Sequence, residues 1–139
     1  MTKGDISIMR PIMTINVTTY EAQTVEGGNA KIVMIPFSAE TDGALFRGRT
    51  TENGTDTQRI LPDGTLTLSA RYMLSGKDAS GNDCRIFIEN SGTSLDSCKP
   101  VLCTDSPELT FLETADLSSV VEPCPGGVTV TIFMRDGKE

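Results

Sequence analysis

Apolar and polar positions alternate along most of this chain with a period of two, and nowhere do they settle into a sustained helical period. The cleanest case is 127–135, where Val128, Val130, Ile132 and Met134 share one face and Thr129, Thr131, Phe133 and Arg135 the other. Seven further segments read as strands on the same ground: 12–20, 30–37, 44–51, 55–61, 65–74, 84–90 and 108–114. Turn residues separate them at Gly27-Gly28-Asn29, Asp42-Gly43, Asn53-Gly54 and Pro62-Asp63-Gly64, followed by a polar loop over 75–83. The stretch 91–107 has no strong pattern. It reads as a loop over one mouth of the fold, or as part of a region with a short helix around 114–121.

One hairpin can be put in register from sequence. Leu61-Pro62-Asp63-Gly64 suits a type I turn, with Pro62 presetting φ and Gly64 supplying the positive φ that closes a three-residue loop. That turn sets Ile60 opposite Leu66, Gln58 opposite Leu68 and Asp56 opposite Ala70. One face then carries Asp56, Gln58, Ile60, Leu66, Leu68 and Ala70, and continues to Tyr72 and Leu74. The other, wetter face carries Thr55, Thr57, Arg59, Ser69 and Arg71. In 84–90 the apolar set Cys84, Ile86 and Ile88 takes Asn90 inward with it. Four polar side chains, Asp56, Gln58, Tyr72 and Asn90, therefore share an apolar face, where an unpaired polar group is costly. Such a set lines a cavity or forms a satisfied buried network. Arg71 joins the candidate ligand-binding residues only on a one-residue slip, which would bring it inside as a clamp for a carboxylate.

Short hairpin loops and about eight strands with one apolar face each predict an all-β protein, a closed antiparallel β-barrel that leaves no free edge. A barrel of that size holds packed side chains or one small ligand. The 139 residues make a single domain (1–139), with 1–10 expected to be poorly ordered. Gly48, Gly54 and Gly92 read as bend or bulge positions.

A net charge of −7 argues against nucleic-acid and anionic-membrane partners. No apolar run approaches the ~18–20 residues of a membrane span, so a cytoplasmic location is expected. Between Glu89 and Cys124 seven acids face one base, Lys99, and read as a solvated rim. The four cysteines, Cys84, Cys98, Cys103 and Cys124, are expected as free thiols. Without His, and with four residues between Cys98 and Cys103, no zinc site is expected. No nucleophile elbow, P-loop or dinucleotide fingerprint is present, and no cofactor is expected.

Gly48 through Gly54, Asp56 and Gln58, followed by Pro62-Asp63-Gly64, Ala70-Arg71-Tyr72 and Glu89-Asn90-Ser91-Gly92, resemble domain-of-unknown-function family 3237 of small bacterial and fungal proteins. The resemblance spans about 12–135 and is specific over 43–92. It implies a small closed barrel of lipocalin-like appearance and no established chemistry. This chain departs from the family pattern at Ser38-Ala39, where a Gly-Gly step is usual, and at Thr57, where an aromatic is common. It departs again at Leu117-Ser118-Ser119-Val120-Val121, which replaces an aromatic-rich segment.

Two functions fit these residues. In the first, the barrel binds a small, partly apolar molecule oriented by the polar cluster. In the second it is a cofactor-independent isomerase or cyclase, with Asp56 taking a proton while Tyr72 or Gln58 stabilises negative charge. A filled barrel acting through homo-oligomer surfaces is the remaining alternative.

Overall fold

The computed structural model describes residues 8–136. Ten strands pair antiparallel throughout: β1 (Ile8–Thr19), β2 (Gln23–Glu26), β3 (Lys31–Asp42), β4 (Phe46–Thr50), β5 (Gly54–Ile60), β6 (Leu66–Asp78), β7 (Asp83–Gly92), β8 (Lys99–Thr104), β9 (Leu117–Cys124) and β10 (Gly127–Asp136). Two pairs are single paths broken by a bend. β1 and β2 lie in succession along one edge of β3, and at the break Tyr20 N–H donates to the Pro36 carbonyl at 2.9 Å. β4 and β5 share the place between β3 and β6, interrupted at 51–53. The strand order is therefore β8, β7, β6, β4/β5, β3, β1, β10, β9.

The two ends of this order touch at one bridge, between Cys98 and Ser119. There Ser119 N–H donates to the Cys98 carbonyl at 3.0 Å, and Val121 N–H to the Leu95 carbonyl at 3.0 Å. Past the bridge the segment 105–116 lies between β8 and the β9–β10 hairpin. Glu113 Oε2 accepts from Thr104 N–H at 2.8 Å, and the Asp116 carbonyl from Arg135 N–H at 3.0 Å. Acids expected as a solvated rim thus fasten this strap. Asp105 Oδ1 also accepts from Arg85 N–H at 2.8 Å, and Asp116 pairs with both Lys99 and Arg135.

Three sequence expectations change here. The strand expected over 108–114 is a 3-10 turn at Thr110–Glu113, because Leu109 and Leu112, both fully buried, lie three residues apart and share a face only in that winding. The unpatterned stretch 91–107 contains β8, whose outward Val101 and Cys103 are as apolar as its inward Leu102, which erases the alternation. The region 114–121, the candidate helix, holds the start of β9, whose inward Ser119 breaks the apolar pattern. Of residues 1–10, expected to be poorly ordered, 1–7 lie outside the described residues, and Ile8–Arg10 pair with β10.

The hairpin register of β5 and β6 is as derived, with Ile60, Gln58 and Asp56 opposite Leu66, Leu68 and Ala70. Its turn is closed by Gly64 N–H to the Leu61 carbonyl at 2.9 Å, with Gly64 at φ +89°. Inside the curled sheet one end is solid, filled by Phe46, Leu74, Ile86, Leu112 and Ile132, each at most 1% exposed. All four cysteines are free, with Cys84 and Cys98 buried and Cys103 and Cys124 exposed. Among the described residues no helix is long and apolar enough to cross a membrane.

Candidate functional site

The other end of the curled sheet is not filled. A cavity of about 210 Å³ opens there between β1, β3, β5, β6, β7, β9 and β10. Val17, Ile35, Leu68, Val121, Val128 and Val130 give it apolar walls, and Leu95 covers it from the loop before β8. Asp56, Gln58, Tyr72 and Asn90 all line it. An end packed solid, as the filled-barrel alternative needs, is absent from this half of the molecule.

Pairing across the strands explains how each polar group is placed. One rung runs Ile35, Asp56, Ala70, Asn90 across β3, β5, β6 and β7. Asp56 thus has two apolar neighbours and lies two strands, about 10 Å, from Asn90. Its Oδ2 accepts from Gln58 Nε2 at 3.0 Å, a bond between alternate residues on one face of β5. Its Oδ1 is buried and has no protein partner. Burial pushes the Asp56 carboxyl above the usual carboxylate range, and the Gln58 hydrogen bond offsets only part of that rise.

Tyr72 lies opposite Ile88 on β7 and beside Gly54, which pairs with Phe37. Gly54 has a direct part in placing it: a Cβ there would lie 2.5 Å from Tyr72 Cβ and 2.8 Å from the Phe37 ring. Its absence lets the two rings meet edge to face across the strand, with centroids 5.1 Å apart. Tyr72 is 6% exposed, and burial alone raises its hydroxyl's pKa, so the group stays a proton donor. On the strand diagonal it stands about 7–8 Å from Asp56, backbone to backbone.

Asn90 is engaged with the fold. Its Nδ2 donates to Ser119 Oγ at 2.9 Å, and Ser119 Oγ donates back to Asn90 Oδ1 at 3.1 Å. Both side chains are buried, and Ser119 is the β9 residue of the single bridge to Cys98. This pair ties β7 to β9. Arg71 stands outside: its Nε pairs with Glu89 Oε2 at 3.0 Å on the exposed face, beside an open groove with Thr55, Thr57, Arg59 and Ser69. The register of β5 and β6 has no slip that would bring it in.

Sequence reasoning missed Cys98, Ser119, Leu95 and Val121, all from the segments with no usable alternation. Cys98 lines the cavity, and its thiol donates to the Ser94 carbonyl at 3.3 Å. Burial, and then the nearby Asp56 and Asp96 carboxylates, push that thiol's pKa up, so it is a poor nucleophile. Among the described residues no cluster of three His, Cys, Asp or Glu could hold a metal ion.

Solved structures share this fold. A protein with unknown function from Clostridium acetobutylicum ATCC 824 superposes with a TM-score of 0.79 at 20% identity, covering 94% of this chain and 100% of that one. A beta-barrel-like protein from Acinetobacter baumannii AYE gives 0.76 at 16% identity, covering 94% and 97%. An enzyme from Penicillium herquei gives 0.74 at 15% identity, covering 94% and 95%. No curated protein matches the chain in sequence. Residues 8–114 match the family described as Protein of unknown function (DUF3237), and the chain belongs to that family. The match ends before β9, which carries Leu117–Val121.

Proposed function

We propose that this protein binds a small, partly apolar molecule in the cavity, with its sheet acting as a closed, lipocalin-like barrel in the cytoplasm. The observation that carries the reading is the buried, partnerless Asp56 Oδ1 in a cavity whose remaining walls are mostly apolar. A fold whose only need was stability would gain by pairing that oxygen or replacing it. The volume suits a molecule of roughly ten to fifteen non-hydrogen atoms. Asp56 and Tyr72 orient its polar end, and Gln58 holds the Asp56 carboxyl in place. Asn90 serves as a structural pin, and Arg71 takes no part.

A second reading keeps the same site and adds chemistry: a cofactor-independent isomerase or cyclase. Asp56 takes a proton at Oδ1 and Tyr72 donates to the oxygen where negative charge develops. It is favoured by a carboxyl whose affinity for protons is raised by burial, and by the Penicillium herquei enzyme among the fold neighbours.

Thermal-shift screening of fractionated metabolite extracts against the wild type, Asp56→Asn and Tyr72→Phe separates these readings. A binder shows a fraction that raises the wild-type Tm, with a smaller rise in both variants. Retained binding in the variants with loss of a chemical conversion favours the enzyme. A wild type that no fraction stabilises contradicts both.

A further inference from the structure

We propose that the loop 93–98 is a lid on the cavity, which lifts from β9 to admit the ligand while the sheet stays folded. The proposal rests on the binding reading above and concerns how that site is filled.

Leu95 and Cys98 are the cavity-lining residues that lie outside the strands; every other lining residue belongs to a strand held in an antiparallel ladder. The loop meets β9 through two backbone hydrogen bonds, from Ser119 N–H to the Cys98 carbonyl and from Val121 N–H to the Leu95 carbonyl. By contrast, β7 pairs with β8 over six positions and β9 with β10 over eight, so the loop is the weakest wall. The Lys99–Asp116 ion pair also crosses between β8 and β9, but on the exposed face and without the loop.

Within itself the loop is well connected. The Cys98 thiol and Ser97 N–H both donate to the Ser94 carbonyl, at 3.3 and 3.4 Å, and Ser94 Oγ donates to Asp96 Oδ1 at 2.8 Å. These bonds stay inside the loop, so breaking the two contacts with β9 frees it as a unit. Leu95 is 42% exposed even when closed, and lifting it gives up only part of a leucine's burial. β9 does not follow, because Asn90 and the β10 ladder hold Ser119 without help from the loop. At the base of the loop, Gly92 is packed closely: a Cβ there would lie 2.9 Å from Cys98 Cα and 3.0 Å from its Sγ. Closed, the loop leaves Cys98 fully buried; lifted, it opens a path from solvent to that thiol and to the cavity behind it.

Two measurements on the whole protein follow the lid. Alternate amides of β9 point to different neighbours, Ser119 and Val121 to the loop and Val120 to β10. In hydrogen exchange by NMR, Ser119 and Val121 are expected to exchange at least about a hundredfold faster than Val120, at rates that low urea leaves unchanged. The second probe is methyl methanethiolsulfonate, a small uncharged reagent that has entered the cavity when it reaches Cys98; labelling is read by mass spectrometry. Cys98 should react more slowly than the exposed Cys103, and again without dependence on low urea. Gly92→Ala, whose methyl presses on Cys98, should speed both the exchange of Ser119 and Val121 and the labelling of Cys98 at least about fivefold, with Val120 changed less. The proposal is overturned if Ser119 and Val121 exchange at the rate of Val120, if Cys98 reacts as fast as Cys103, or if Gly92→Ala changes neither rate. Each of those results leaves the binding reading standing; that reading fails instead when no metabolite fraction stabilises the protein.

Discussion

Asp56 has Ile35 and Ala70 as its rung neighbours, so the backbone pairing that fixes its position also denies it a second hydrogen-bond partner. Its raised pKa has a definite sign for stability. The folded state binds this proton more tightly than the unfolded chain does. The resulting stability is full below the ordinary carboxylate pKa and is lost as pH rises through the folded value. Asp78 has the opposite sign. Its carboxylate accepts from Ser106 Oγ at 2.8 Å and from the Asn82 and Ser80 amides, which lower its pKa. Its contribution is present above the ordinary range and is lost as pH falls through the lowered value. Asp56→Asn is therefore expected to leave acid unfolding in place and to remove the decline on the alkaline side of the carboxylate range. At pH 7–8 it should be neutral or stabilising by up to about 1 kcal/mol. Urea unfolding of both proteins from pH 3 to 8 checks this; an Asp56→Asn curve parallel to wild type throughout would contradict it.

β9 depends on a side-chain pair more than on its own alternation. Ser119 is its inward residue at the bridge, and the reciprocal hydrogen bonds to Asn90 secure it to β7. Ser119→Ala leaves the Asn90 amide buried without a partner and should cost about 1–3 kcal/mol. Asn90→Ala and Ser119→Ala together should cost less than the sum of the singles, by at least about 0.5 kcal/mol. Additive losses in denaturant unfolding would show that the pair does not act as a unit. The same polar residue explains why β9 was hard to read in advance: an inward Ser between Leu117 and Val121 looks like a break in the pattern until Asn90 is seen opposite. The β5–β6 hairpin was legible because its turn chemistry sets the register, and the register alone decides which side chains share a face. Asp56, Gln58, Tyr72 and Asn90 could therefore be gathered from sequence. The division of labour among them could not, since the partner of Asn90 lies 29 residues away in a segment without alternation. Arg71 was ambiguous for the same reason in reverse: its side follows from one register, and an unbroken ladder was needed to settle it.

At the scale of the whole molecule, the sheet is packed solid at one end and hollow at the other. The change comes within single strands: β6 passes from Leu68, Ala70 and Tyr72 at the cavity to Leu74 in the packed end, and β1 from Val17 to Ile15 and Met13. The small Ala70 and the missing side chain of Gly54 keep space beside Asp56 and Tyr72. The solid end supplies a rigid frame, and the hollow end can then hold an unmet hydrogen-bonding demand without collapse. The most direct measurement of this account is a crystal structure of the protein at neutral pH. The expected result is an open cavity of about 210 Å³ lined by Asp56 and Tyr72, with Asp56 Oδ1 without a protein partner. A structure in which Leu95 fills the cavity, or in which Asp56 turns out to solvent or pairs both oxygens within the protein, would contradict it.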